Sequence, residues 1–362
     1  MISTIIFIIL GAIVFLLFLY FFVGRAPVQK NITWGVNFSQ MQVEFLKLDW
    51  KKTYLAILED LGARRIKLIT NWDWVEGTAP QKSAEGDVKT RGAISEKKFA
   101  PSPKKRGNEI HTYFFNDIDW QIQQAESHGA SIMYVVGMKT GRWPECHIPA
   151  WAVGLSKQEQ QDAILNYIEQ VVTRYKGSKA IVAWQAENEP LFKFGQCPWY
   201  DKEFLKKEVA LIKSLDPNRP VMVSDSGEQS FWFEAANIGD VVGTTMYRKV
   251  WIGPPWLGFY YSYPIPPVLY WRKAELVRRI FHKKVINVEL QAEPWANKAF
   301  YDLPLEEQAK TMDLEKFKAN VAYAKQTGLD TFYFWGTEWW FWLKEQKNQP
   351  QIWDYAREIF QK

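Results

Sequence analysis

The most constraining feature of this chain is a repeated change of hydrophobic period. Short runs rich in Val, Ile and aromatic residues alternate with longer stretches whose apolar residues recur at helical spacing. Eight strand-type runs can be placed, over residues 32–38, 64–70, 131–137, 181–187, 220–225, 241–247, 285–290 and 331–336. Between them, Tyr54, Leu55, Leu58 and Leu61 share one helical face, and Ser156 with Glu159 makes a capping box ahead of Ile164, Ile168, Val171 and Tyr175. Gly62, Gly129 and Gly328 each stand where a helix must end before the next apolar run. Strand–helix units over roughly 330 residues predict an α/β fold, a (β/α)8 TIM barrel with insertions. A doubly wound sheet is the alternative, and no GxGxxG or Walker-type loop supports it.

Ahead of these units, residues 5–23 (IIFIILGAIVFLLFLYFFV) carry no charged side chain. A helix of that length crosses roughly 30 Å of hydrocarbon. One N-terminal transmembrane helix is therefore expected within 1–24, with the lipid bilayer as partner of residues 5–23, a linker at 25–31 and the barrel over 32–362. A cleaved signal peptide fits less well, because no Lys or Arg precedes the run and no small-x-small site is clear after it. Arg25 and Lys30 follow the run, which by charge bias alone would leave the barrel in the cytoplasm.

In such a barrel, chemistry belongs at the C-terminal ends of the strands. Strand four ends in Trp184-Gln185-Ala186-Glu187-Asn188-Glu189-Pro190, and strand seven in Val288-Glu289-Leu290-Gln291-Ala292-Glu293-Pro294-Trp295. Carboxylates are costly beside apolar strands, so acids at two strand ends suggest either a pair facing one cavity or a salt-bridge network at the mouth. Composition narrows the classes. With 45 Lys+Arg against 40 Asp+Glu spread along the chain, the net charge of +5 gives no nucleic-acid signature. Two cysteines exclude a disulfide scaffold, and four scattered histidines (His111, His128, His147, His282) give no reason to expect a metal or other cofactor.

The Trp-Gln-Ala-Glu-Asn-Glu-Pro segment resembles the acid/base signature of the clan A glycoside hydrolases, retaining β-glycosidases built on the (β/α)8 barrel. The look is closest to family 5, with an Glu-Asn-Glu element also similar to clan A β-galactosidases. The resemblance implies a carbohydrate substrate, Glu189 as general acid/base, Asn188 as a partner of the sugar 2-hydroxyl, and Glu289 as nucleophile, with Glu293 its competitor. It implies further that Tyr247 hydrogen-bonds the nucleophile and that Trp335 is the platform under the sugar. Where such enzymes commonly carry Arg on the second strand, this chain has Lys67, which can replace the charge and not the bidentate fork. Trp72, just beyond that strand, is a further candidate contact. A non-catalytic carbohydrate-binding barrel is the alternative function, and a metallohydrolase on the same fold would need clustered His and Asp ligands.

The loop after strand three, 137–147, gathers Arg142, Trp143, Glu145 and His147 as substrate contacts or as loop-bracing groups. Cys146 and Cys197, after strands three and four, could approach disulfide distance in a barrel, which would place the domain in an oxidising compartment. That opposes the charge bias, and an extracytoplasmic catalytic domain on a single-pass anchor is the expectation. Two insertions stand out. Residues 76–110 carry Lys97, Lys98, Lys104, Lys105 and Arg106, and read as a solvated loop or a contact for anionic headgroups or glycans. Residues 250–271 are aromatic and uncharged, and read as sugar-stacking subsites, an interfacial segment or a packed lid. Asn31 and Asn37 open Asn-x-Ser/Thr triplets, with Asn37 expected inside strand one.

Overall fold

A computed structural model describes residues 2–78, 104–106, 109–254 and 256–361, with side chains from Ile6 onward except at 78, 104–106 and 109–111. Eight parallel strands close into a barrel: β1 Thr33–Ser39, β2 Arg65–Ile69, β3 Ser131–Val136, β4 Ile181–Ala186, β5 Val221–Asp225, β6 Val241–Met246, β7 Lys284–Gln291 and β8 Thr331–Trp335. Each pairs with its sequence neighbours, and β1 closes on β8 with Thr33 opposite Thr331. All eight predicted runs are barrel strands. The doubly wound sheet is excluded by the closure.

Strand alternation decides what each side chain meets. On β2, Ile66 and Leu68 face outward into the main core beneath the helices, which sends Lys67 into the barrel. On β1, Val36 and Phe38 face outward, and Asn37 points in, donating its Nδ2 to the carbonyls of Val288 and Phe334. Asn37 is thus a buried strand residue, as its position predicted. The barrel floor is filled by Met133, Met222, Val288 and Tyr333. On β7 the alternation breaks. Val288 packs with that inner floor, so a regular strand would turn Glu289 outward. The register instead shifts between Asn287 and Glu289, and this bulge keeps Glu289 on the inside.

The helices follow the sequence closely. Ser156 and Glu159 form the capping box of helix Lys157–Tyr175, and Gly62, Gly129 and Gly328 adopt left-handed backbone at φ +78, +64 and +74. The N-terminal helix runs Ile2–Phe22 and leans its end on the barrel, with Phe21 edge-on to Phe231 and the Arg272 guanidinium over Tyr20. Among the described residues, no helix is long and apolar enough to cross a membrane. The transmembrane helix expected over 5–23 is therefore unsupported among the described residues.

After β2, strands Glu76–Thr78, Lys104–Arg106 and Glu109–Tyr113 form a small antiparallel sheet. Most of the 76–110 insertion, with Lys97 and Lys98, lies outside the described residues. The 250–271 segment divides in two. Strands Lys249–Ile252 and Phe259–Ser262 make a hairpin whose turn exposes Trp256 (83%) and Leu257, so the hairpin tip is no packed lid. From Pro267 the chain is already helix, Pro267–Phe281, and Val268, Leu269 and Tyr270 are core.

Candidate active site

Lys67 stands at the centre of the barrel mouth, fully buried. Its Nζ donates to Glu289 Oε1 at 2.9 Å and to Asn188 Oδ1 at 3.2 Å, joining the ends of β7 and β4 across the barrel. Tyr247 donates its hydroxyl to the other oxygen, Glu289 Oε2, at 2.8 Å. Burial, and next the charge of Glu289, push the Tyr247 phenol well above its ordinary range, so it remains a donor. Glu289 therefore sits between the Lys67 amine and the Tyr247 hydroxyl, each donating to a different carboxylate oxygen.

Glu189 is placed differently. Its Oε1 accepts from Thr245 Oγ1 at 3.0 Å, and Thr245 is the residue opposite Glu289 in the β6–β7 register. Burial raises the Glu189 carboxyl well above the usual range, and the Glu289 charge raises it further. The two candidate catalytic acids thus differ in their partners: Glu289 is held by Lys67 and Tyr247, and Glu189 by Thr245.

The loops after β3 and β4 are zipped together. Gly137 has φ +126, and a Cβ there would meet Glu187 Oε1 at 2.6 Å. The absence of that atom lets the Glu187 carboxylate accept from the backbone N–H of Met138 at 2.7 Å and of Lys139 at 2.6 Å. Lys139 in turn donates its Nζ to the carbonyls of Glu189 and Phe192, both at 2.9 Å. Farther along, Cys146 and Cys197 form a disulfide with Cα atoms 5.2 Å apart. The possible pairing of these cysteines is therefore realised.

The remaining expected contacts sort by burial. Trp335, at the end of β8, has the Arg142 guanidinium 4.2 Å from its ring centroid and Lys67 at 5.6 Å. Arg142 is buried and spoken for: it binds Glu293, and its Nη2 lies 2.9 Å from Glu338 Oε2. Glu338 also accepts from the Ser39 N–H at 2.7 Å. Glu293, the competitor for nucleophile, belongs to this bracing network, and burial pushes its carboxyl up to about 7 although Arg142 opposes the rise. Glu145 lies behind Asn188, with desolvation as the main cause of a carboxyl raised to about 7. His147 is buried with Nε2 at 3.0 Å from the Gly141 carbonyl, a brace within its own loop. Trp143 is 59% exposed at the rim.

Trp72 is not brought to the site. It is fully buried, crossing Trp151 edge-on and donating Nε1 to Glu76 at 2.8 Å. The helical turn Trp72–Val75 that follows β2 rotates this ring outward into the core. Lys139, Thr245 and Glu187 are the site residues that sequence reasoning missed. A lysine three residues past the end of β3, and the first acid of the Glu-Asn-Glu element, were the available signals.

Comparison with known proteins points to the same barrel fold. Residues 120–298 match the family model for the TIM-barrel domain of glycosyl hydrolases family 2. A mannan endo-1,4-beta-mannosidase F from Aspergillus clavatus is 33% identical over 116 residues, 30% of this chain and 26% of that protein. A probable mannan endo-1,4-beta-mannosidase A from the same fungus is 27% identical over 163 residues, 41% of this chain and 43% of the relative. The chain spans about a quarter of the length of the first curated relatives it matches. In fold, the endo-beta-1,4-mannanase from Thermotoga petrophila superposes with a TM-score of 0.54 at 14% identity, over 92% of this chain and 77% of that one. A cold-adapted beta-galactosidase from Rahnella sp. R3 gives 0.51 at 10% identity, covering 86% and 52%. On its closed barrel, its family match and its mannanase relatives, this chain is related to the clan A (β/α)8 glycosidases.

Proposed function

We propose that the protein is a retaining glycoside hydrolase acting on a β-linked glycan, with β-1,4-mannan the first substrate to test because of its relatives. The observation that carries this reading is Lys67 Nζ bound at once to Asn188 and Glu289, which brings both strand-end motifs to one point. In the first step Glu289 attacks the anomeric carbon. The bond to the leaving oxygen breaks, and Glu189 gives that oxygen its proton. In the second, Glu189 takes a proton from water, the water oxygen attacks the same carbon, and the bond to Glu289 breaks. Lys67 and Tyr247 hold Glu289 aimed, while burial keeps Glu189 protonated until it acts.

The test is hydrolysis of β-1,4-mannan and a panel of chromogenic β-glycosides, with retention read by NMR and the nucleophile trapped by a 2-fluoro sugar. Activity lost in Glu189→Ala and Glu289→Ala, with the label on Glu289, is the expected result. A label on Glu293, or inversion, overturns the mechanism, and glycan binding without turnover would make this a binding barrel.

The helix Ile2–Phe22, without a charged residue over its length, would serve as a membrane anchor. The Cys146–Cys197 disulfide favours an oxidising, extracytoplasmic location for the barrel. Retention of the full chain in the membrane pellet after alkaline carbonate washing is expected, and release into the supernatant overturns the anchor.

A further inference from the structure

The loop after β5 holds one residue in a conformation that its side chain disfavours. Trp232 is fully buried, yet its backbone is left-handed at φ +66. A bulky residue stays in that region only where its surroundings over-determine it, and such positions gather at functional sites. The Trp232 N–H donates to Ser230 Oγ at 2.9 Å, and Ser230 donates in turn to Asp225, the last residue of β5. The indole Nε1 reaches back to donate to the Ser226 carbonyl at 2.9 Å. From helix Pro267–Phe281, the Lys273 amine lies 3.9 Å from the indole centroid and donates to the Gly227 carbonyl at 2.6 Å. Two side chains thus grip the peptides on either side of Gly227.

Gly227 is where this grip meets the site. A Cβ there would lie 1.8 Å from the Thr245 carbonyl oxygen, so glycine is what lets the loop close on β6. The Gly227 N–H then donates to Thr245 Oγ1 at 3.0 Å, and Thr245 Oγ1 donates to Glu189 Oε1 at 3.0 Å. A hydroxyl has one hydrogen. With a lone pair of Oγ1 taken by the amide, that hydrogen is directed at Oε1 and makes this oxygen an acceptor, which leaves the acidic proton of Glu189 on Oε2. The Ser226–Gly227 peptide accepts the indole N–H at its oxygen and donates at its nitrogen, and hydrogen bonds in series strengthen one another. The Glu189 N–H donates to Ser224 Oγ at 2.8 Å, so β5 and its neighbours hold both the backbone and the carboxyl of this acid.

We propose that Trp232, with Lys273, is a positioning residue for Glu189, keeping its transferable proton on Oε2 through the Ser226–Gly227 peptide and the Thr245 hydroxyl. This rests on the hydrolase reading, and the test tells the two apart. On the full chain, kcat/KM is measured for phenyl β-mannoside, whose leaving group needs a proton, and for 2,4-dinitrophenyl β-mannoside, whose leaving group departs without one. Trp232→Phe removes the indole N–H. It is expected to lower the first about five- to ten-fold, the worth of one hydrogen bond, and to leave the second nearly unchanged. Lys273→Met loosens the same turn from the other side and should show the same selectivity; if thermal melting shows one variant unfolded, the other carries the test. In a Thr245→Val background neither change should cost anything further. Equal losses on the two substrates, no loss, or a further loss without the Thr245 hydroxyl overturns the positioning role. A second readout needs no turnover: the Glu189 carboxyl, identified by its absence in Glu189→Gln, is titrated by 13C NMR. Losing a donor destabilises the carboxylate, so Trp232→Phe should move that titration to higher pH. The same movement in a parent that cleaves neither glycoside retains the relay and overturns the hydrolase reading. A titration that does not move overturns the relay.

Discussion

The ends of β4 and β7 carry the same residue type and treat it in opposite ways. At the end of β4, Glu187 accepts from backbone amides and Glu189 from a hydroxyl. At the end of β7, Glu289 and Glu293 are each held by a buried cation, Lys67 and Arg142. The contrast teaches that chemistry is assigned by partners rather than by the acid itself. It also separates Glu289 from Glu293. The cation at Glu289 is shared with Asn188 of the opposite strand end, whereas the cation at Glu293 is shared with Glu338, a bracing carboxylate.

Removing either proposed catalytic acid, Glu189 or Glu289, is the severest way to probe that contrast. Glu289→Ala and Glu189→Ala should each lower kcat on an activated aryl β-glycoside by about 10³-fold or more, whereas Glu293→Gln, on the bracing side, should retain measurable turnover. If Glu293→Gln is the most damaging of the three, the two β7 acids have been assigned in the wrong order. Next in size is Lys67→Met. It strands a buried carboxylate and should cost about 3–5 kcal/mol of stability by denaturant titration, together with most of the activity. A variant as stable as the parent would mean that Glu289 does not depend on this cation.

Breaking the tie that steadies the β4 side should be milder. Reduction of Cys146–Cys197, or Cys146→Ser with Cys197→Ser, opens a loop closed over a sequence separation of 51 and should cost about 2–4 kcal/mol. A proportionate fall in kcat is also expected if the clamp aims Glu189. The smallest effect concerns pH. Glu145 and Glu293 are raised to about 7 in the folded protein, so the native state binds more protons than the unfolded chain above the ordinary carboxylate range. Stability should therefore be highest below the unfolded value and decline as pH rises toward about 7. Glu145→Gln should flatten that decline in a series of melting curves, and an unchanged slope would show that Glu145 is not the group responsible. For activity the sign is set by Glu189: its raised carboxyl should carry the alkaline limb of the kcat/KM profile well above the ordinary carboxylate range.

Much of this was legible in the sequence because it is written at short range. A strand of period two and a helix of period 3.6 declare themselves within a few residues, and the Ser156–Glu159 cap and Gly62 turn do so within four. The placement of Lys67 also followed once its neighbours Ile66 and Leu68 were seen to face out. What escaped was set by pairing across the fold. Trp72 looked like a rim residue until a single helical turn carried it into the core beside Trp151. The pairing of Glu293 with Arg142, from the loop after β3, was equally beyond local reach. The β7 bulge, which aims Glu289, depends on the neighbouring strands for its register and has no signature of its own in Val-Ile-Asn-Val-Glu.

The backbone of Glu187 and Glu189 has one further consequence. Both residues have positive φ, +59 and +44, on either side of Asn188. An extended strand can present consecutive side chains in only two directions. Here the left-handed kinks fan three of them apart, toward the amides of the β3 loop, toward Lys67 and toward Thr245. Each such kink is uphill by about 1–2 kcal/mol for an L-residue, so the fan behaves like a sprung hinge kept open by its fastenings. Cutting any fastening should let the hinge relax and turn the Glu189 carboxyl away from Thr245.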